Sequence, residues 1–476
     1  MAASFYGFSQ IVASWILYLF ARPLPATPEP SAGLTIDVFL TSCNEPIALI
    51  EESLRACCAL RGSHKTWLLD DGNDPRLEAL ALQLGAGYLT RPDRIDRKAG
   101  NVNMALTQTD GDIIAIFDAD HVPSADFLER TVGHFNDPTI GFVQVMLSHS
   151  NEGESWIARA ASQAGYDFYN PVQIGANAVG GATHVGSNGL LRRAALLSIS
   201  GYRPGLAEDL ATSIALHHEG WRSVYVAEPL APGRTPLDLS GWITQQLKWS
   251  RGVFEVMLSD GVRLFPGLTW GQRLSYLLRF TYYLVGPVTF IHLYLIISVL
   301  FGRSTVAGLD FSGYFPAALP MAIAIVVVRQ FAVTRWRHPS TPTVPLWRPT
   351  LLILGSWPVY TAAFLLAALR IPVRFRLTPK TRANRPPYGW LVGPALGAVL
   401  LVAGLVQYTQ FATQAPSLTV VLIAVLQLAA QLTVLLLAMP RIPAHGRPRR
   451  LALDPESGTR SALGVLEPAT SPAKPE

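Results

Sequence analysis

The chain has 476 residues, 50% of them hydrophobic and only 15% charged, with a formal net charge of +5. Charge so far below the usual ~25%, with a mean hydropathy of +0.28, points to a membrane protein of roughly two or three domains. No basic tract is interleaved with aromatic residues, which excludes a nucleic-acid partner. Cys43, Cys57 and Cys58 lie close together without the spacing of a zinc set or a disulfide framework. They suit a reducing, cytosolic setting as small buried side chains.

In chain order, residues 5–20 form a short apolar segment followed by Arg22. A cleaved leader places positive charge before its apolar core. None precedes this one, so it reads as an uncleaved anchor (1–30 with its linker) whose amino terminus is outside. Residues 31–262 differ in texture. The runs "TIDVFL", "TWLLD", "DIIAIFD" and "GFVQVML" alternate with the helical patterns "DPRLEALALQLG" and "SADFLERTVGHF". That alternation predicts an α/β domain with a largely parallel sheet, whose ligands bind beyond the carboxyl ends of the strands.

Two runs end there in acids, at Asp70 and Asp71 and at Asp118 and Asp120. Asp118 and Asp120 can reach one divalent cation, with His121 as a third ligand. Oxygen ligands suit Mg²⁺ or Mn²⁺, commonly held by one or two carboxylates plus substrate phosphates. Alternatively, Asp120 or Ser124 caps a following helix. Lys98 in "RKAGNVNMAL" starts a helix and suits a phosphate, or is an exposed first-turn lysine. Glu208 and Asp209 fall in the first turn of a helix, where acids complement the dipole. "QQLKWSRG" opens a further helix, with Gln245, Lys248 and Trp249 on one face.

A span needs about 20 mostly apolar residues, and 275–301, 390–411 and 417–439 meet that. Segment 313–333 is a fourth, weakened by prolines and Arg329. Segment 351–371 either spans or lies along the interface. The positive-inside rule puts the region up to about Gly271 in the cytoplasm. It favours the interfacial reading of 351–371, which keeps "FRLTPK" and the basic tail inside. Residues 263–445 thus form the membrane region. The tail 446–476 is too short and polar for a core.

Taken together and in order, "TSCNEP", "DDG", "RKAGNVNMAL", "FDADHVP", "VGSNGLLRRAAL", "AED", "QQLKW" and "FRLTPK" resemble the processive family-2 glycosyltransferases, especially bacterial cellulose synthase catalytic subunits. The resemblance covers about 34–439. It implies a GT-A-like cytoplasmic domain and an α-helical transmembrane domain in the bacterial inner membrane. Thr41, Glu45, Asp70 and Asp71 would line the nucleoside side of the donor site, and Lys98, Gln245 and Lys248 would hold the diphosphate. Asp118, Asp120 and His121 would bind Mg²⁺ or Mn²⁺, and Asp209 would be the general base. Glu208 and Trp249 would meet the acceptor, and Phe375, Thr378 and Lys380 would form a gating loop over the donor.

The implied activity is inverting polymerisation of a β-linked polysaccharide, a β-glucan from UDP-glucose in the first instance, with passage of the growing chain through the lipid bilayer. An accessory export subunit is a further expected partner. Two other readings compete: transfer of one sugar to a lipid, and an export channel with an inactive catalytic domain. The chain departs from the family pattern in several places. Ala207 stands for threonine, Lys248 for arginine and "THVGSN" for "FFCGS". No segment after Met439 is long enough for a cyclic-dinucleotide-binding barrel.

Overall fold

The computed structural model describes residues 2–31, 33–302, 305–306, 309–310, 314–373, 386–410 and 417–439. Phe375, Thr378, Lys380 and the tail 446–476 lie outside the described residues. The described residues up to Met439 form one compact unit.

A seven-stranded sheet organises the first half of the chain. Its strands are β1 Ile36–Ser42, β2 Lys65–Asp70, β3 Gly87–Thr90, β4 Ile113–Asp118, β5 Ile140–Val145, β6 Gly189–Arg192 and β7 Arg222–Val226. They lie in the order β3-β2-β1-β4-β6-β5-β7. Side chains alternate between the two faces of a strand, so each central strand feeds two cores. Val38, Leu40, Ile113, Ala115 and Phe117 enter one, and Phe39, Leu69, Ile114 and Ile116 the other. The expected parallel pairing holds for β1 with β2 and β4, β2 with β3, and β5 with β7. Strand β6 is the exception, running antiparallel to both neighbours.

One polar knot fixes the amino-terminal edge of this sheet. Asp37 is fully buried and accepts hydrogen bonds from Trp67 Nε1 at 2.9 Å, Gly111 N at 2.7 Å and Arg193 Nη2 at 3.1 Å. Register places its neighbours on the same sheet usefully: Ser42 lies opposite Asp70, and Thr41 opposite Asp118. The carboxyl ends of β2, β1 and β4 therefore finish side by side. The order turns at β1 and β4, the kind of switch point where open α/β sheets bind ligands.

Several expected elements differ from those observed. "SADFLERTVGHF" is not an α-helix but a series of turns ending in a short 3₁₀ turn, Val132–Asn136. Val122 N and Ser124 N donate to Pro232 O and Leu230 O, so distant backbone claims the donors that would open a helix. Neither Asp120 nor Ser124 then has a helix to cap. "QQLKW" lies inside the helix Leu239–Val256 rather than opening it; the helix starts at Asp238, whose side chain accepts from Gly241 N at 2.9 Å.

Among the described residues, four helices are long and apolar enough to cross a membrane, five if a bent pair counts as one span. They are Trp270–Leu300, Leu319–Trp336, Tyr388–Gln410 and Leu418–Leu437, and Phe5–Phe20 is a shorter apolar helix. The first begins earlier than hydropathy suggested, because Thr269 and Gln272 form a reciprocal capping box. Val326, Phe331, Val399 and Leu436 stay exposed on these helices, which suits faces meeting lipid. Segment 351–371 is neither one straight span nor one flat helix. Trp347–Gly355 and Trp357–Ala368 meet at 51° across Ser356, whose hydroxyl accepts from Trp242 Nε1 at 2.9 Å. Tyr360 OH donates to Gln246 Oε1 at 3.1 Å, so the bent pair is fastened to the helix that carries "QQLKW".

Asp37→Ala removes the buried acceptor of Trp67 Nε1, Gly111 N and the half-buried Arg193 guanidinium, a loss of about 1–3 kcal/mol for buried donors left unsatisfied. The full chain in detergent should unfold several degrees lower, and an unchanged thermal midpoint would remove Asp37 as the fastening of this edge.

Candidate active site

A cavity of about 1060 Å³ opens over the carboxyl ends of β1 and β4. Its wall at that end includes Thr41, Glu45, Asp71, Lys98, Asp118, Asp120 and His121. Glu208, Asp209, Gln245, Lys248 and Trp249 follow, carried by the helices Glu208–His218 and Leu239–Val256. The two helices approach closely: a Cβ on Gly252 would sit 2.7 Å from Ala207 N. The same cavity continues between the apolar helices, past Tyr18, Leu278, Arg279, Tyr282, Tyr283 and Arg329. Twelve of the thirteen described sequence candidates thus line one space, from segments more than 200 residues apart.

Asp70 is the candidate the structure moves. It is fully buried, and its carboxylate accepts from Gly72 N at 2.7 Å, Asp74 N at 2.8 Å and Tyr88 OH at 3.0 Å. It holds the turn beneath the site instead of lining it. Asp71 does reach the cavity, in a bidentate pair with Arg91 at 2.7 and 3.0 Å. Arg91 also donates to Ile95 O at 2.5 Å and Arg97 O at 2.7 Å. It thereby joins Asp71 to the strained turn before Lys98, where Asp96 and Arg97 take φ of +57° and +49°. Nothing in the spacing marked Arg91; its role depends on a loop that returns to its own strand end.

Lys98 Nζ pairs with Asp118 Oδ1 and donates to Gly186 O at 2.6 Å. Burial alone would lower its ammonium, but Asp118, Glu208 and Asp209 hold it above the ordinary lysine value. Asp120 accepts from Arg234 N at 2.9 Å, and the His121 ring packs so closely on Gly233 that a Cβ there would lie 2.5 Å from Nε2. Asp118, Asp120 and His121 do not form a ready-made cage: among the described residues no group of three or more His, Cys, Asp or Glu is gathered for a metal ion. Two cavity-facing carboxylates still fit a hard cation whose remaining ligands come from phosphate oxygens.

Burial and the neighbouring Asp209 push the Glu208 carboxyl up to about 7, against the opposing pull of Lys248 and Lys98. Trp249 remains partly exposed to the cavity, one face available to a sugar ring.

Residues 113–439 match the family described as Glycosyl transferase family group 2. The chain belongs to that family. Among similar proteins, Cellulose synthase 1 of Komagataeibacter xylinus is 32% identical over 338 residues, which is 68% of this chain and 21% of that protein. The cellulose synthase catalytic subunit [UDP-forming] of Pseudomonas fluorescens (strain SBW25) is 32% identical over 314 residues, 61% of this chain and 42% of that protein. The chain therefore spans well under half the length of these relatives. The mannosyltransferase PcManGT from Pyrobaculum calidifontis, solved with GDP-Man and Mn²⁺, superposes with a TM-score of 0.55 at 16% identity, over 78% of this chain and 98% of that one. At that identity the likeness is one of fold: a GT-A-like mixed sheet, here with apolar helices behind it.

Arg91→Lys cannot keep a bidentate hold on Asp71. A nucleoside diphosphate should bind this variant about tenfold more weakly, roughly 1.4 kcal/mol, in a calorimetric titration; wild-type affinity would remove the clamp. The raised Glu208 carboxyl is neutral below about pH 7 and anionic above it. The transfer rate at limiting donor, which reports the free enzyme, should rise through that range and lose the inflection in Glu208→Gln. An identical inflection in the variant would assign it to another group.

Proposed function

We propose that the protein is a membrane-embedded, processive, inverting glycosyltransferase that polymerises a β-linked polysaccharide, a β-glucan from UDP-glucose in the first instance, and passes it across the membrane. The observation that carries this reading is the single cavity running from the strand-end acids into the apolar helices. A donor site alone needs no such continuation, whereas a growing chain needs a path. The domain limits that go with this reading are an anchor at 1–30, a catalytic domain at 31–262, a membrane channel region at 263–445 and a tail at 446–476. Positive-inside charge supports a cytoplasmic catalytic domain in a bacterial inner membrane, with an accessory export subunit as a further partner.

The chemistry follows from residue type and position. Asp118 and Asp120, with His121 beside them, would hold Mg²⁺ or Mn²⁺ against the donor diphosphate, where the cation offsets leaving-group charge. Lys98, now paired with Asp118, lies where its ammonium can turn to a phosphate oxygen. Lys248 and Gln245 flank the same space and add charge and a hydrogen-bond donor. Thr41, Glu45 and Asp71 form the nucleoside side. Asp209 takes the proton from the acceptor hydroxyl, the acceptor oxygen bonds to the anomeric carbon, and the bond to the diphosphate breaks on the opposite face. Attack from that face inverts the centre, giving a β-linkage from an α-linked donor. Trp249 stacks the acceptor ring beside Glu208, and Phe375, Thr378 and Lys380 keep the gating role that the sequence resemblance gives them.

Asp209→Asn keeps size and polarity but removes the base. With labelled UDP-glucose and Mn²⁺, transfer should fall at least about 10²-fold, the low end of what general-base catalysis contributes, while donor binding stays at the wild-type value. Wild-type turnover in that variant would take the base role from Asp209.

A further inference from the structure

The mechanism above uses Lys98, Asp118 and Asp209 but leaves open what keeps them in register. The segment 184–188 touches all three. Gly186 O accepts from Lys98 Nζ at 2.6 Å, and Ser187 Oγ accepts from Asp118 N at 3.0 Å. His184 N donates to Ser213 Oγ at 2.8 Å, and that hydroxyl donates to Asp209 O at 2.9 Å. The segment lies in "THVGSN", where this chain departs from the family pattern.

Its shape depends on buried side chains. His184 and Gln144 are fully buried, and Tyr202 almost so. Gln144 Nε2 donates to Val145 O at 2.8 Å, Ser187 O at 2.8 Å and Asn188 O at 3.2 Å. Its amide is thereby oriented, and Oε1 is left as the acceptor for Val185 N at 2.9 Å and for His184 Nδ1 at 2.7 Å. An imidazole that donates through Nδ1 must accept through Nε2 when neutral, and Tyr202 OH lies 2.9 Å from Nε2. The tautomer is assigned by this donor and acceptor logic. Burial, aided by Lys98, lowers the imidazole to about 3, so the ring stays neutral at any working pH. The backbone is fitted to the ring: a Cβ on Gly189 would lie 2.4 Å from His184 Cε1.

We infer that His184 is a positioning residue for the donor site, acting through Gln144 to set the 185–188 backbone on which Lys98 and Asp118 are aligned. This rests on the proposed role of Lys98 and Asp118 in donor and cation binding. A phenylalanine of similar volume fills the same space but cannot donate to Gln144 Oε1. An asparagine can, through its side-chain amide.

The test is steady-state transfer by the full chain in proteoliposomes, titrating UDP-glucose and Mn²⁺ separately. His184→Phe should raise donor KM and half-saturating Mn²⁺ about tenfold, one buried hydrogen bond's worth, and lower kcat by less. His184→Asn should return both to within about threefold of wild type, since it restores the donor. A purely structural role would lower the unfolding temperature of both variants and leave donor KM and Mn²⁺ dependence of the folded enzyme unchanged, which would overturn the inference. If His184→Phe does not fold, Tyr202→Phe decides. Loss of the hydroxyl frees the tautomer and should raise both values about threefold, and unchanged values would overturn the inference. A wild type inactive with UDP-glucose, UDP-GlcNAc and GDP-mannose alike would sink the functional reading and this inference together. An active wild type with unchanged variants would sink the inference alone.

Discussion

Asp71, Asp118, Asp120, Glu208 and Asp209 are among the carboxylates that line one cavity, and close-set acids repel unless cations stand among them. Lys98 is the central one, held between Asp118 Oδ1 and Gly186 O while Glu208 and Asp209 add to its charge preference. Arg91 neutralises Asp71 from behind, and Lys248 moderates Glu208 from the facing helix. Basic side chains thus stand among these acids without any ligand. On the proposed reading, a diphosphate with a divalent cation would exchange partners with them rather than add unpaired charge, which keeps the cost of desolvation down.

Alignment of the strand ends brings those charges together, and helix packing extends the cavity between the apolar helices. The helix Leu239–Val256 has one side on the acids and the other on the bent pair at Ser356. Further along the cavity, Arg329 sits on an apolar helix and would be costly in lipid. Its Nε donates to Asp167 Oδ2 at 3.1 Å, and Asp167 Oδ1 accepts from Tyr18 OH at 2.6 Å. Three separate parts of the chain meet there: the amino-terminal helix, the turn after Trp156–Ala164 and the helix Leu319–Trp336. The charge that weakened the fourth span on hydropathy is the one that fastens it to the wall of the cavity.

Much of this was legible in the sequence. Strands β1, β2, β4 and β5 follow from short β-rich apolar runs that alternate with helical patterns, and Asp71, Asp118 and Asp209 follow from acids at element ends. What escaped depends on contacts distant in sequence. The helix expected over "SADFLERTVGHF" fails because Val122 and Ser124 pair with backbone more than 100 residues later. Asp70 and Asp71 are adjacent and alike in sequence, yet strand alternation sends one under the turn and the other to the cavity. Arg91 and His184 carry no motif of their own, and only folding brings Asp71 to the first and Gln144 to the second. Asp167, which explains Arg329, lies 162 residues away.

The central claim is that catalysis and passage share one cavity. It is tested most directly in sealed proteoliposomes with the catalytic domain facing outward, supplied with labelled UDP-glucose and Mn²⁺. The account predicts a high-molecular-mass, glucanase-sensitive polymer that is protected in the lumen until detergent is added. Label confined to a single-sugar lipid, or to short saccharides in the outer buffer, would contradict it.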